Sequence, residues 1–341
     1  MMEQPCKSRL MPAFALGLLW LAMPRGFAQA RLNSSMSDSG KRGLEPSSTS
    51  MMPLDSSGAS VGIIRKRVDE VVAFFTVTKG HRYVDNLQES EINIVDDGKS
   101  PARISDFGHQ SDLPLRLGVL VDTSDSVRHR FKFEKNATSR FLRQILYSQT
   151  DKVFLSGFAQ HSNLVQDYTS NPEQVDRGFS LLAFGGNTAM YDAVRLACRK
   201  LAQQSDVMSA RILLLLSDGD DNLSESTMTQ AIESAQRADV SIYAISTNGS
   251  AYKSTGDEVL QLLAAETGGK AFFPRDPDHI VDSFRSIRQE LRSRYMVAYR
   301  PDGFVFNGKF RRIQIFAKRA AETFRVHTRP GYYAPVTEDS H

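Results

Sequence analysis

Leu117-Gly-Val-Leu-Val-Asp-Thr-Ser-Asp-Ser126 joins two signals. Leu117 to Val121 is a continuous apolar run, the pattern of a strand buried on both faces of a parallel sheet. Asp122, Ser124 and Ser126 then place a carboxylate and two hydroxyls at alternate positions of a turn. The apolar spacing of Val127, Phe131, Phe141 and Ile145 predicts that a helix follows directly. A strand that ends in an oxygen-rich turn and passes into a helix is the unit from which doubly wound sheets are built, and their ligands bind at such turns.

The same alternation continues along the chain. Val153–Phe158 reads as the next strand, and Met190, Val194, Ala197 and Leu201 form the next apolar helical face. Ile212–Leu216 is the most buried-looking strand. A helix over about 224–238, a strand over Val240–Ile245 and a helix over Val259–Thr267 come after it. A short strand at Lys270–Phe273 and a helix carrying Ile280, Phe284, Ile287 and Leu291 complete the series. Strands alternating with helices imply an α/β fold, a doubly wound and mostly parallel sheet with helices on both faces, spanning residues 113–294. β-branched and aromatic segments bracket it. Val68–Thr78, Ile92–Val95 and Ala102–Phe107 lie in a β-rich flank over 61–112, and Tyr295–Tyr299, Arg312–Lys318 and Phe324–His327 in another over 295–335. Neither flank is long enough to be a comfortable domain alone, so the two are expected to pair into a small β-sandwich, with a short tail over 336–341.

The amino terminus reads as a secretory signal over 1–30. Lys7 and Arg9 precede the apolar stretch Leu10–Met23, and Ala28-Gln29-Ala30 supplies a small-x-small cleavage pattern. The apolar stretch is shorter than the ~20 residues that cross a bilayer, so a cleaved signal is expected over a retained signal-anchor, with no membrane span after cleavage. Residues 31–60 are serine-rich with interspersed proline and glycine, a composition that reads as a disordered spacer. An exported protein, periplasmic or secreted, is the expected product. Of the two cysteines, Cys6 lies in the signal, and Cys198 stands on an apolar helix face as a small packing residue, so no internal disulfide is expected. The net charge is +3, with no basic block, which gives no electrostatic reason to expect nucleic-acid binding.

Two further oxygen clusters fall at positions equivalent to the turn after Val121. Gly185-Gly186-Asn187-Thr188 precedes a helix, and Ser217-Asp218-Gly219-Asp220-Asp221 ends the strongest strand. Hard cations such as Mg2+ take oxygen ligands of this kind and usually keep several waters, and three loops at one sheet edge can converge on one ion. Turn and helix-cap chemistry also favours Ser, Thr, Asp and Gly at such places, so each cluster alone is weak evidence. No His-Glu-x-x-His, Gly-x-Ser-x-Gly, phosphate-loop or EF-hand pattern occurs. Arg311, Arg312, Lys318 and Arg319 read as a solvated strand face, and Tyr332 and Tyr333 as strand or packing residues.

Taken in order, Asp-x-Ser-x-Ser at 122–126, Gly-Gly-x-Thr at 185–188 and an apolar strand ending Ser217-Asp218-Gly219 resemble the metal-ion-dependent adhesion site of von Willebrand factor A domains. The resemblance covers about 113–294. The segment 87–100 and the terminal Arg329-Pro-Gly-Tyr-Tyr-Ala-Pro335 are similar to the ends of secreted bacterial proteins of the "VWFA-related" family. The resemblance implies a Rossmann-like fold and a divalent cation, Mg2+ first with Mn2+ and Ca2+ as alternatives. Ser124, Ser126 and Thr188 would offer it hydroxyl oxygens, and Asp122 and Asp218 would act directly or through water. It further implies a non-enzymatic binding or adhesion module, whose unidentified partner protein offers a carboxylate to the ion. A metal-free scaffold is the alternative, and a metal-assisted hydrolase a more distant one. Asp125 departs from the small residue usual at its position and is expected to face outward. Asp220 and Asp221 either add charge beside the ion or cap the helix near Ser224.

Overall fold

The computed structural model describes residues 69–336, apart from 129, 147, 204–207 and 249–251. The signal over 1–30, the spacer over 31–60, the start of the first flank and residues 337–341 lie outside the described residues.

Six strands form the central sheet: β5 (Leu115–Asp122), β6 (Lys152–Phe158), β7 (Ser162–Thr169), β8 (Ala210–Ser217), β9 (Val240–Ser246) and β10 (Ala271–Phe272). Their order is β10-β9-β8-β5-β6-β7, parallel throughout except for β7, which runs antiparallel at one edge. Six helices accompany them: α1 (Phe131–Ile145), α2 (Pro172–Phe179), α3 (Met190–Ala202), α4 (Met228–Arg237), α5 (Thr255–Glu266) and α6 (Pro277–Arg292). The uniform apolarity of β8 has a direct cause. Ile212, Leu214 and Leu216 point into a core with α1, α2 and α6, while Leu213 and Leu215 point into a second core with α3, α4 and α5. Cys198 lies fully buried in that second core, where burial pushes its thiol up to about 12.

β7 and α2 have no counterpart in the sequence reading. β7 alternates too weakly to stand out, because one side of it is open, and α2 is a two-turn helix. Its start is set locally: Asn171 caps it, accepting the Glu173 amide, and Pro172 occupies the first turn. The helix expected from about residue 224 begins at Met228, because Thr227 and Gln230 form a reciprocal capping box there.

The flanks contribute β1 (Val71–Lys79), β2 (Arg82–Tyr83), β3 (Ile92–Asp96), β4 (Arg103–His109), β11 (Tyr295–Arg300), β12 (Phe310–Arg319), β13 (Glu322–Thr328) and β14 (Gly331–Tyr333). They make one continuous antiparallel sheet in the order β14-β12-β13-β1-β11-β4, with β2 on β1 and β3 on β12. Strands of the first flank pair with strands of the second, β1 with β11 and β13, β4 with β11, and β3 with β12. Side chains of β1, β3, β11, β12 and β13 share one core, so the ladder is unbroken yet folds around its own apolar face. The opposite face of β1 and β11 presents Val72, Phe74, Met296 and Ala298, which pack with Leu113 and Met208. β4 leads into β5 and α6 leads into β11, so the chain enters and leaves the α/β domain along two strands that pair with each other.

Asp96 ties this sheet together. Its carboxylate is 1% exposed and accepts hydrogen bonds from Tyr299 (2.8 Å), Tyr332 (2.9 Å) and Arg311 Nε (2.8 Å). Arg311 is therefore drawn out of the solvated face and into an ion pair, and Arg319 pairs with Glu91. Asp96→Ala leaves a guanidinium and two buried phenols without their acceptor. The expected cost is about 3–5 kcal/mol, the scale of breaking a buried pair from one side, and it is read as a lowered urea midpoint with the denaturant slope unchanged.

Candidate metal site

Parallel pairing places the carboxyl ends of β5 and β8 side by side, with Val121 opposite Leu216. Asp122, 1% exposed, closes β5. One of its carboxylate oxygens accepts the Ser124 amide (2.9 Å) and the other accepts the Ser217 hydroxyl (2.7 Å). The hydroxyls of Ser124 and Ser126 lie 3.1 Å apart, and Ser126 donates to Asp218 Oδ2 (2.7 Å). Asp122, Ser124, Ser126 and Asp218 thus form one hydrogen-bonded net across two loops.

Thr188 lies on a third loop, sewn to the other two through its backbone. Its amide donates to Asn222 Oδ1 (2.9 Å), and its carbonyl accepts the amides of Asn222 and Leu223, each at 3.0 Å. The Gly185 amide donates to the Thr123 carbonyl (2.9 Å). Thr188 is 4% exposed, and its hydroxyl makes no hydrogen bond to the described residues. The loop after β8 is set against α5 by a pair of glycines. A Cβ on Gly219 would meet the Gly256 carbonyl at 2.1 Å, and one on Gly256 would meet the Asp218 carbonyl at 2.2 Å. Only two glycines admit this approach, which fixes the height of Asp218 above the sheet.

The neighbouring acids have separate duties. Asp125 turns away from the net: it accepts the Gly186 amide (3.2 Å), faces Arg128 at 3.6 Å and keeps 72% of its side chain exposed. Arg128 in turn donates to the Phe184 carbonyl (2.9 Å), so the pair clamps the Gly185-Gly186 turn. Asp221 accepts the Tyr191 amide at the start of α3 (2.9 Å) and the Ser224 hydroxyl (2.6 Å), which makes it a capping residue. Asp220 stays near Asp218 and Asp257, and its carboxyl is raised by partial burial and by those charges.

Sequence reasoning missed Glu134. It lies in the first turn of α1, 2% exposed, with Oε1 unpartnered. Burial pushes its carboxyl up to about 8, against the pull of Arg130 and reinforced by Asp122 and Asp218. Burial likewise raises Asp122 to about 6, beyond what the bonds from Ser124 and Ser217 offset. The signal was present in the sequence: Glu134 and Thr138 stand at inward positions between Phe131 and Phe141, where an amphipathic helix should be apolar.

These donors fit a hard divalent cation. No group of three or more His, Cys, Asp or Glu is assembled for a metal among the described residues. Soft metals that need thiolate or imidazole therefore find no cage, whereas hydroxyls with two carboxylates suit Mg2+. Asp218 opposes the charging of Asp122, and both oppose the charging of Glu134, with Arg130 pulling the other way. A cation relieves that repulsion.

Glu134 makes a distinct prediction. A carboxyl whose folded pKa lies above its unfolded value binds more protons when folded, so its contribution to stability is lost as pH rises from the unfolded value near 4.5 through about 8. In chelator, Glu134→Gln should become progressively more stable relative to the parent across that range, as read from urea midpoints at a series of pH values. Parallel curves would show that Glu134 is not held neutral by burial.

Part of the chain matches a known domain family. The profile of the von Willebrand factor type A domain matches residues 117–286. No curated protein matches the chain in sequence. Among solved structures, a von Willebrand factor type A protein from Catenulispora acidiphila is 13% identical, covering 80% of this chain and 74% of its own, with a TM-score of 0.45. The vWF domain of the type V pili tip protein Mfa5 from Porphyromonas gingivalis is 13% identical, covering 52% and 94%, with a TM-score of 0.44. An aerotolerance-related membrane protein from Bacteroides fragilis is 18% identical, covering 52% and 98%, with a TM-score of 0.43. The profile match, over a doubly wound sheet, identifies residues 117–286 as a von Willebrand factor type A domain.

Proposed function

We propose that this chain is an exported, non-enzymatic binding module that engages a partner protein through a divalent cation, most naturally Mg2+, held by Asp122, Ser124, Ser126, Thr188 and Asp218. The observation that carries the reading is the net joining Asp122, Ser124, Ser126 and Asp218 at the carboxyl edge of the sheet. Three of the five oxygen donors are neutral hydroxyls, and an ion so held keeps uncompensated positive charge. A carboxylate from a partner then completes its coordination. Asp125 does not work against that attraction at full strength, because Arg128 and the Gly186 amide engage its carboxylate. Export rests on the signal pattern over 1–30, and among the described residues no helix is long and apolar enough to cross a membrane.

Calorimetric titration with Mg2+, Mn2+ and Ca2+ tests the ion site. Binding tighter than roughly 1 mM, the weak end for extracellular oxygen-ligand sites, is expected in the parent and absent from an Asp122→Ala/Ser124→Ala variant that keeps its fold by circular dichroism. A folded parent that binds none of the three ions would replace the adhesion mechanism with a metal-free scaffold.

A further inference from the structure

Helices cover the two faces of the central sheet unequally. On the face of α3, α4 and α5, α3 lies mainly over β5 and touches β8 and β7, α4 and α5 lie over β9 and β10, and α2 covers β6 and β7 only from the other side. The outer margin of β6 and β7 beside α3 is therefore left open. Two adjoining cavities of about 590 Å³ and 490 Å³ occupy that margin and share Ser162, Leu196 and Arg199. Together they form a groove along α3.

One end of the groove abuts the candidate ion site. Gln160 and Ala189 line it there, Ala189 being the residue after Thr188, and Gln160 Oε1 lies 3.8 Å from the Cβ position of Gly186. The other end reaches Lys200 and Gln203. From Asp192 to Gln203 the helix rises roughly 16 Å, a span that about five residues of extended chain would cover.

The chemistry changes along that length. At the ion end Asp192 is spent on the structure: it accepts the amides of Glu225 (2.9 Å) and Ser226 (3.1 Å) and the Ser226 hydroxyl, and that hydroxyl also receives Arg195. The exposed Glu225 is the acid left facing this end. Midway, Leu164 and Leu196 stand 45% and 46% exposed on opposite walls. Beyond them Arg199 is exposed, with no ion pair or hydrogen bond to its side chain among the described residues. The neighbouring cation, Lys200, is already taken by Asp167 (2.7 Å) and by the rings of Phe154 and Tyr168.

We infer that the groove between α3 and β7 binds an extended acidic segment of the partner protein, running on from the carboxylate at the ion, with an apolar side chain between Leu164 and Leu196 and a second carboxylate on Arg199. The occupant is set by complementarity: Glu225 disfavours an acid directly beside the ion, the two leucines bury an apolar group, and Arg199 awaits an anion. This rests on the proposed ion-dependent binding and adds to it the sequence pattern of the ligand.

Fluorescein-labelled hexapeptides test it by anisotropy against the full chain in Mg2+. Asp-Ser-Ser-Leu-Ser-Asp is compared with one peptide whose Leu is Ser and another whose final Asp is Lys. The first should bind tightest, and each change should weaken it about tenfold, the loss of one charge-assisted hydrogen bond or one buried side chain. Arg199→Glu should erase the preference for the final Asp and favour the Lys peptide, while Leu196→Ser should erase the preference for Leu. Mg2+ titration without peptide should be unchanged in both variants, since neither residue touches the ion net. Parent protein that binds Mg2+ but treats the peptides alike overturns the groove and leaves the ion site standing. Parent protein that binds no divalent ion overturns both.

Discussion

The hydrogen bond from Ser217 to Asp122 joins the ends of two buried strands, and the site is arranged around it. A carboxylate with 1% exposure is costly unless its oxygens are occupied, and here one takes a backbone amide and the other a hydroxyl from the adjacent strand. That pairing requires β5 and β8 to run parallel in the observed register, because an antiparallel neighbour would present its amino end there. The strands are held in that register by apolar side chains on both faces, so the oxygen net depends on core packing beneath it. With Asp218 and Glu134 close by, packing gathers carboxyls whose charging is mutually opposed, and burial raises Glu134 to about 8 despite the pull of Arg130.

The antiparallel sheet forms the base on which this domain stands. Entry and exit strands are neighbours in it, and α6 passes into β11 with almost no linker. Polar groups bind the two parts at the junction. Glu290 on α6 accepts the hydroxyls of Tyr243 (3.1 Å) from the central sheet and Tyr83 (3.3 Å) from the flank. Arg329 donates to Asp239 (2.9 Å) and to the Val72 carbonyl (2.9 Å), and the buried Arg294 donates to Ser241 and the Gly268 carbonyl. These bonds are specific in direction where apolar contact is not, which orients the carboxyl edge of the central sheet relative to the base.

Surface chemistry near the site follows from coverage. Three helices cannot span six strands on one face, and the shortfall falls at β6 and β7, beside the loop that carries Thr188. The same shortage of helix leaves Leu164 and Leu196 exposed and, among the described residues, Arg199 without an ion pair beside the carboxyl edge of the sheet.

Much of this was legible in the residues alone. Apolar runs at Leu117–Val121, Ile212–Leu216 and Val240–Ile245 read as strands buried on both faces, and oxygen-rich turns follow two of them at the edge where doubly wound sheets bind ligands. Those signals are local: strand periodicity, helix caps and turn chemistry act over a few residues. What the chain could not show by itself was decided by contacts between residues far apart in sequence. Ser126 meets Asp218 across 92 positions, and Gly219 meets Gly256 because a loop settles on a helix end. The opening beside β7 belongs to the same class, since it depends on which element covers which face, and only the packed structure determines that.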